Sequence, residues 1–221
     1  MTESEWLTCT DPVPMLDLLR WQATDRKLRL FAMACCRHIP VLRTHPVVGR
    51  ALDLGEEYAD GRVDRAALRG ANYDAWDVMG DPRYRGGPVY GNPAVRLVDA
   101  ASRTDLQPPL LEVVILGVNA AFPAASSRRS KVPAALLRDI FGPLPFRPLT
   151  IEPSVLAWND RLVVRLAQGI YDERRWGDMP VLADALLDAG CDNEAMLSHA
   201  REQGSSHVRG CWVLDLLLNK E

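Results

Sequence analysis

Cys191, His199, His207 and Cys211 are all side chains that zinc accepts, and they fall close together near the C-terminus. Zinc wants four nitrogen or sulfur donors converging as a tetrahedron, usually offered as close pairs on a turn. His207-Val-Arg-Gly-Cys211 has the spacing of one such pair. Seven residues separate Cys191 from His199, which on a helix-turn element places them poorly for a shared ion. The expectation is that Cys191 and Cys211 join a core and that both histidines face solvent. A metal-binding or thiol enzyme using Cys191, His199, His207 and Cys211 is the alternative.

Three other sets invite chemistry. Cys35 and Cys36, with His38 two positions on, resemble a nucleophile and its base, but adjacency in sequence does not bring a base within hydrogen-bond reach of a thiol. A packed cysteine pair is expected. Asp184 and Asp188 stand four apart, as in helical di-metal carboxylate sites, yet the Glu-x-x-His partner of such sites is missing, so Asp160, Asp172, Glu173, Asp184 and Asp188 read as a solvated acidic face. Arg128-Arg-Ser-Lys131 and the loop holding Arg83, Tyr84, Arg85 and Tyr90 have side chains that grip phosphate or stack a base, which makes a weak nucleic-acid binder the third reading. Arg85-Gly-Gly-Pro lacks the lysine and hydroxyl of a phosphate-binding loop. No catalytic, cofactor or metal residue is assigned from these patterns, and no cofactor is expected.

The elements that must position these groups are helical throughout. The chain has 221 residues, 48% hydrophobic and 25% charged, with a net charge of -3. That is a globular composition with no overall field to attract nucleic acid or an anionic membrane. Met1-Thr-Glu-Ser-Glu-Trp lacks the basic start and apolar run of a secretion signal, and no apolar stretch reaches the roughly 18 residues of a membrane span. A cytoplasmic protein with reduced thiols is expected, five cysteines being an odd number for a disulfide framework.

Asp11-Pro12 and Thr24 each open a helix, the second carrying Leu28, Phe31, Ala32, Cys35 and Ile39 on one face, with Leu30, Met33 and Ala34 widening it toward a central position. Pro46 to Asp60 buries Val47, Val48, Ala51, Leu54 and Tyr58, and Gly61 closes it. Asp64 caps the next helix. Residues 80–93 are a glycine- and proline-rich loop. The apolar run after Pro109 suits helix or strand, and helix is preferred because nothing else supplies a strand partner. Prolines at 143, 145, 148 and 153 mark a strap, after which Asn159, Asp178 and Asn193 open the last helices and Gly190 closes one. The fold class is all-α, roughly ten to twelve short and medium helices in two packed, bundle-like lobes: 1–142, a strap over 143–157, and 158–221, or one continuous domain.

Two stretches resemble an uncharacterised, much-duplicated bacterial helical family: Asp25-Arg-Lys-Leu-Arg-Leu-Phe-Ala-Met-Ala-Cys-Cys-Arg-His-Ile with Trp6 and Asp11-Pro12 before it, and Trp158-Asn-Asp with Val-Arg-Leu-Ala-Gln-Gly-Ile-Tyr-Asp-Glu-Arg and His-Val-Arg-Gly-Cys-Trp-Val-Leu-Asp-Leu-Leu-Leu after it. Pro180-Val-Leu-Ala-Asp-Ala-Leu-Leu-Asp-Ala-Gly is also similar in rhythm to the short repeat-companion domain found beside leucine-rich repeats. The resemblance implies an intracellular helical module and carries over no catalytic residue. With abundant caps and core residues, the leading expectation is a non-catalytic protein-interaction module, adaptor or accessory, meeting another protein through the loop around Tyr84 and Tyr90.

Overall fold

The structure, a computed structural model, describes residues 1–39, 42, 45–80, 110–122, 131–202 and 207–220. Among these, eleven α-helices and two single-turn 3-10 helices account for the regular structure, with no strand. They group into two compact units, Met1–Leu137 and Arg138–Glu221. No helix among the described residues is long and apolar enough to cross a membrane.

In the first unit, α1 (Glu3–Thr8) starts with a reciprocal cap: the Glu5 amide donates to Thr2 Oγ1 at 3.2 Å, and the Thr2 amide to Glu5 Oε2 at 2.7 Å. Asp11 caps α2 (Pro12–Leu18), which runs into a 3-10 turn, Leu19–Trp21. Thr24 caps α3 (Asp25–Arg37), where every residue from Lys27 to Cys36 is buried, so this helix is central as its sequence predicts. Around it lie α4 (Pro46–Ala59) and α6 (Leu110–Ala121), and α5 (Arg65–Gly80) packs on α4. The apolar run after Pro109 is helical.

α4 presents a different face from the expected one. Val48, Ala51, Leu52, Gly55 and Glu56 are buried, whereas Val47, Leu54 and Tyr58 are only half-buried. Gly55 is the reason: a Cβ there would come within 1.8 Å of Met33 Cε, so the helix turns its side-chain-free position onto α3. Glu56 is then carried inward, where its carboxylate accepts from Arg37 Nε at 2.7 Å, and the same guanidinium reaches Asp53 at 2.7 Å. A buried acid is tolerated when a fixed guanidinium meets it.

The second unit contains the last residues of α7 (Lys131–Phe141), then α8 (Pro153–Glu173), a 3-10 turn at Trp176–Asp178, α9 (Met179–Asp188), α10 (Glu194–Arg201) and α11 (Trp212–Leu218). Tyr171, Leu182, Leu186, Leu197, Trp212 and Leu214 are at the heart of its core. Three details depart from the sequence expectations. The division falls inside α7 instead of after Gly142, and the segment expected as a separate strap belongs to this unit, because Leu144, Leu149 and Ile151 cover its core and Pro153 begins a helix. Asn159 caps nothing: it lies with Asp160 and Arg161 in three consecutive left-handed conformations (φ 46°, 54° and 61°) that interrupt α8. Asp178 precedes α9 without capping it, since its carboxylate is taken by Arg175 Nη1 at 2.8 Å and Pro180 supplies the helix start. Asn193 does cap α10, accepting from the Met196 amide at 3.2 Å.

Gly142 joins α7 to α11. Its φ of +52° suits glycine, and a Cβ on it would meet the Trp212 ring at 2.6 Å. Gly142→Ala is expected to cost about 2–4 kcal/mol, the left-handed penalty plus overpacking, measured as a lowered urea midpoint in tryptophan fluorescence.

Candidate functional site

Four side chains in the second unit converge. Asp139 is on the last turn of α7, on the same buried side as Leu136 and Ile140. His199 is on α10, whose Met196, Leu197 and Ala200 are driven into the core and carry the imidazole to its edge. His207 precedes α11, and Cys211 stands at the position before that helix begins. Trp212, seated on Gly142, brings the α11 end of this arrangement to the α7 end. One carboxylate oxygen, one nitrogen from each histidine and the Cys211 sulfur all lie within 4.8 Å of one another.

Asp139 Oδ1 is 2.7 Å from His207 Nδ1 and 3.1 Å from His199 Nε2, and the Val208 amide donates to Asp139 Oδ2 at 3.0 Å. Cys211 Sγ is 3.3 Å from His199 Nε2 and 3.9 Å from His207 Nδ1. Each imidazole thus offers one and the same nitrogen to both the carboxylate and the thiol. The rings of His199 and His207 meet edge to face, with centroids 4.9 Å apart and planes at 80°. Asp139, His207 and Cys211 are buried and His199 is nearly so, its side chain 14% exposed. Neither histidine faces solvent, contrary to the sequence expectation, because an Asp the sequence reading passed over supplies the partner that keeps them inside.

Burial alone would raise the Asp139 carboxyl, but hydrogen bonds from His199 and then His207, with their charges, outweigh it and hold the group below the ordinary carboxylate range. Cys211 goes the other way. Burial first, then the charges of Asp139 and Asp215, push its thiol well up, against the pull of the Leu214 and Val213 amides. A thiol so placed is protonated at neutral pH and is a poor nucleophile. The relay of a cysteine hydrolase also needs the imidazole to face the thiol with one nitrogen and the carboxylate with the other. Here both partners crowd the same nitrogen.

The remaining candidates are apart from this set. Cys191 is buried in the core and is absent from the converging group. Cys35 and Cys36 are buried in α3, burial pushing the first well up and the second to about 12, while exposed His38 turns its Nδ1 back to the Ala34 carbonyl at 3.0 Å. That packed pair matches the sequence reading. Asp160, Asp172, Glu173, Asp184 and Asp188 are all exposed, as a solvated face requires. Tyr84, Tyr90, Arg83, Arg85 and Arg128 to Ser130 lie outside the described residues.

The missed residue left a signal. In Leu136-Leu-Arg-Asp-Ile-Phe141 the acid at 139 occupies a core-facing step of an apolar helix, and an acid there needs a buried partner.

Comparison with protein-family models, with curated proteins and with solved structures gives no match.

The lowered Asp139 pKa has a signed consequence. A group with a depressed folded pKa contributes stability that is complete above its unfolded value, near 4, and is lost as pH falls through the folded value. In EDTA, Asp139→Asn is expected to lower stability at neutral pH, and the gap to wild type should begin to narrow as pH falls below about 4 and go on narrowing through the depressed folded value. Urea midpoints of both proteins from pH 7 to pH 2.5 check this; a gap independent of pH would mean that the carboxylate charge is not what the site uses.

Proposed function

We propose that the chain is a non-catalytic helical module that acts by binding another protein. Trp21 carries the reading. It closes the 3-10 turn after α2 and is 91% exposed, in a unit that hides Trp6 completely. Burying a side chain of this size would gain about 3 kcal/mol, and exposed tryptophan is among the residue types that dominate binding energies at protein interfaces. Leu7 on α1 and Tyr73 on α5 are also largely exposed in the same unit.

Affinity capture from extract of the source cell, with wild type and Trp21→Ser side by side, tests the reading. A specific partner should be retained by wild type and weakened on the order of 30-fold by the substitution, the loss of one interface hot spot. Equal retention would remove Trp21 as the surface, and no retention at all would remove the binding reading.

A thiol enzyme is the second reading, favoured by the 3.3 Å approach of His199 Nε2 to Cys211 Sγ. It conflicts with the single-nitrogen geometry and with the raised thiol. Iodoacetamide labelling of the folded protein, followed by mass spectrometry, separates the two. Partly exposed Cys9 should react at least about tenfold faster than Cys211. Labelling of Cys211 ahead of Cys9 would restore the enzyme reading.

A further inference from the structure

We infer that Asp139, His199, His207 and Cys211 form a closed tetrahedral site for a zinc-class divalent metal ion. The donors are Asp139 Oδ1, His199 Nε2, His207 Nδ1 and Cys211 Sγ, and the inference rests on how they point. In a hydrogen-bonded relay successive partners occupy opposite nitrogens of a ring; around an ion every ligand turns one donor atom to a common centre. Both histidines do the latter. Ligands about 2.0–2.3 Å from zinc at tetrahedral angles are roughly 3.3–3.8 Å apart. The two sulfur-to-nitrogen separations, 3.3 and 3.9 Å, lie close to that range. The two oxygen-to-nitrogen separations, 2.7 and 3.1 Å, are hydrogen-bond lengths, and the separations across the set extend up to 4.8 Å, so an ion that replaced those two bonds would need the carboxylate to withdraw by about half an ångström and the most distant donors to close by up to about one.

The donor chemistry selects the metal. Two imidazoles and a thiolate are borderline-to-soft donors that suit zinc and its neighbours, not magnesium or calcium, which want oxygen throughout. Binding would balance as follows: Zn2+ takes the thiolate sulfur, the Cys211 S–H bond breaks with its proton released to solvent, and the protons that His199 Nε2 and His207 Nδ1 donate to Asp139 in the empty site leave those nitrogens by way of solvent, each ring remaining neutral with its one proton on the opposite nitrogen. Two negative ligands and one dication make a neutral centre, the form that a buried site favours. The Val208 amide on Asp139 Oδ2 already fixes the carboxylate as an outer-sphere support should. Four protein donors leave no position for water or substrate, so the ion would be structural, tying the end of α7 to α10 and to the start of α11.

Titration of chelator-stripped full-length protein with zinc, followed by gel filtration and elemental analysis, should give about one equivalent per chain. Cobalt(II) in its place should show the intense visible bands of a four-coordinate ion and a near-ultraviolet thiolate-to-cobalt band, and Cys211→Ser should abolish the latter. In chelator competition, Asp139→Asn and His199→Gln should each weaken zinc binding by at least about 100-fold, with Cys191→Ser within a factor of about two of wild type. His199 is partly exposed, so His199→Gln decides the matter if the Asp139 variant does not fold, with circular dichroism confirming the helical content of each variant. Less than about 0.1 equivalent bound by folded wild type, an unchanged affinity in folded His199→Gln, or a cobalt spectrum without the thiolate band would overturn the inference. Trp21→Ser should bind zinc like wild type, which keeps this outcome separate from that of the partner experiment.

Discussion

A carboxylate withdrawn from water has to find its compensation within the protein, and Asp139 in the second unit is such a group. Stranding it without partners would cost several kilocalories per mole, comparable to the whole stability of a small domain. Its requirement is met by His199 from α10 and by His207 and the Val208 amide from the segment before α11. These donors come from sixty and more positions along the chain. The carboxylate therefore acts as a registry point: the arrangement is satisfied only when the end of α7, α10 and the start of α11 are all in place, and Trp212 against Gly142 closes the remaining gap.

The two units treat buried charge and buried thiols in instructive contrast. In the first, Glu56 is brought inside by the approach of Gly55 to Met33 and is answered by Arg37, a pair of fixed opposite charges. Its Cys35 and Cys36 are fully buried on α3 and behave as small hydrophobic side chains. In the second, the acid is answered by two imidazoles, and the thiol shares their nitrogens. The same residue type is inert filling on α3 and part of a convergent polar set before α11, and the difference is the company each keeps.

That company also separates two chemistries built from the same alphabet. Thiol, imidazole and carboxylate make a nucleophilic centre when they form a chain, each imidazole nitrogen serving a different partner. They make a metal centre when they form a shell, each ring contributing one nitrogen to the same point. Distances alone do not distinguish chain from shell; the identity of the nitrogen does. Here Nε2 of His199 and Nδ1 of His207 each serve both partners, with the thiol held protonated.

Much of the architecture was legible in the residues. Caps at Asp11, Thr24, Asp64 and Asn193, the proline and glycine punctuation at Pro46, Gly61 and Gly190, and the broad apolar surface of α3 all follow from local hydrogen-bonding needs and helical periodicity, which act over a few residues. Asn159 and Asp178 were misread for the same reason: a capping residue type signals a helix start only if the backbone and competing partners leave its side chain available, and left-handed geometry took one and Arg175 the other. The site was half legible. His199, His207 and Cys211 stand out by type and spacing, but Cys191 stood with them, and Asp139 was hidden inside a helix far upstream. Sequence by itself determined which residue types were available and which helices would carry them. Only the packing of α7, α10 and α11 decided which side chains share one centre, because convergence depends on distances in space that no local spacing encodes.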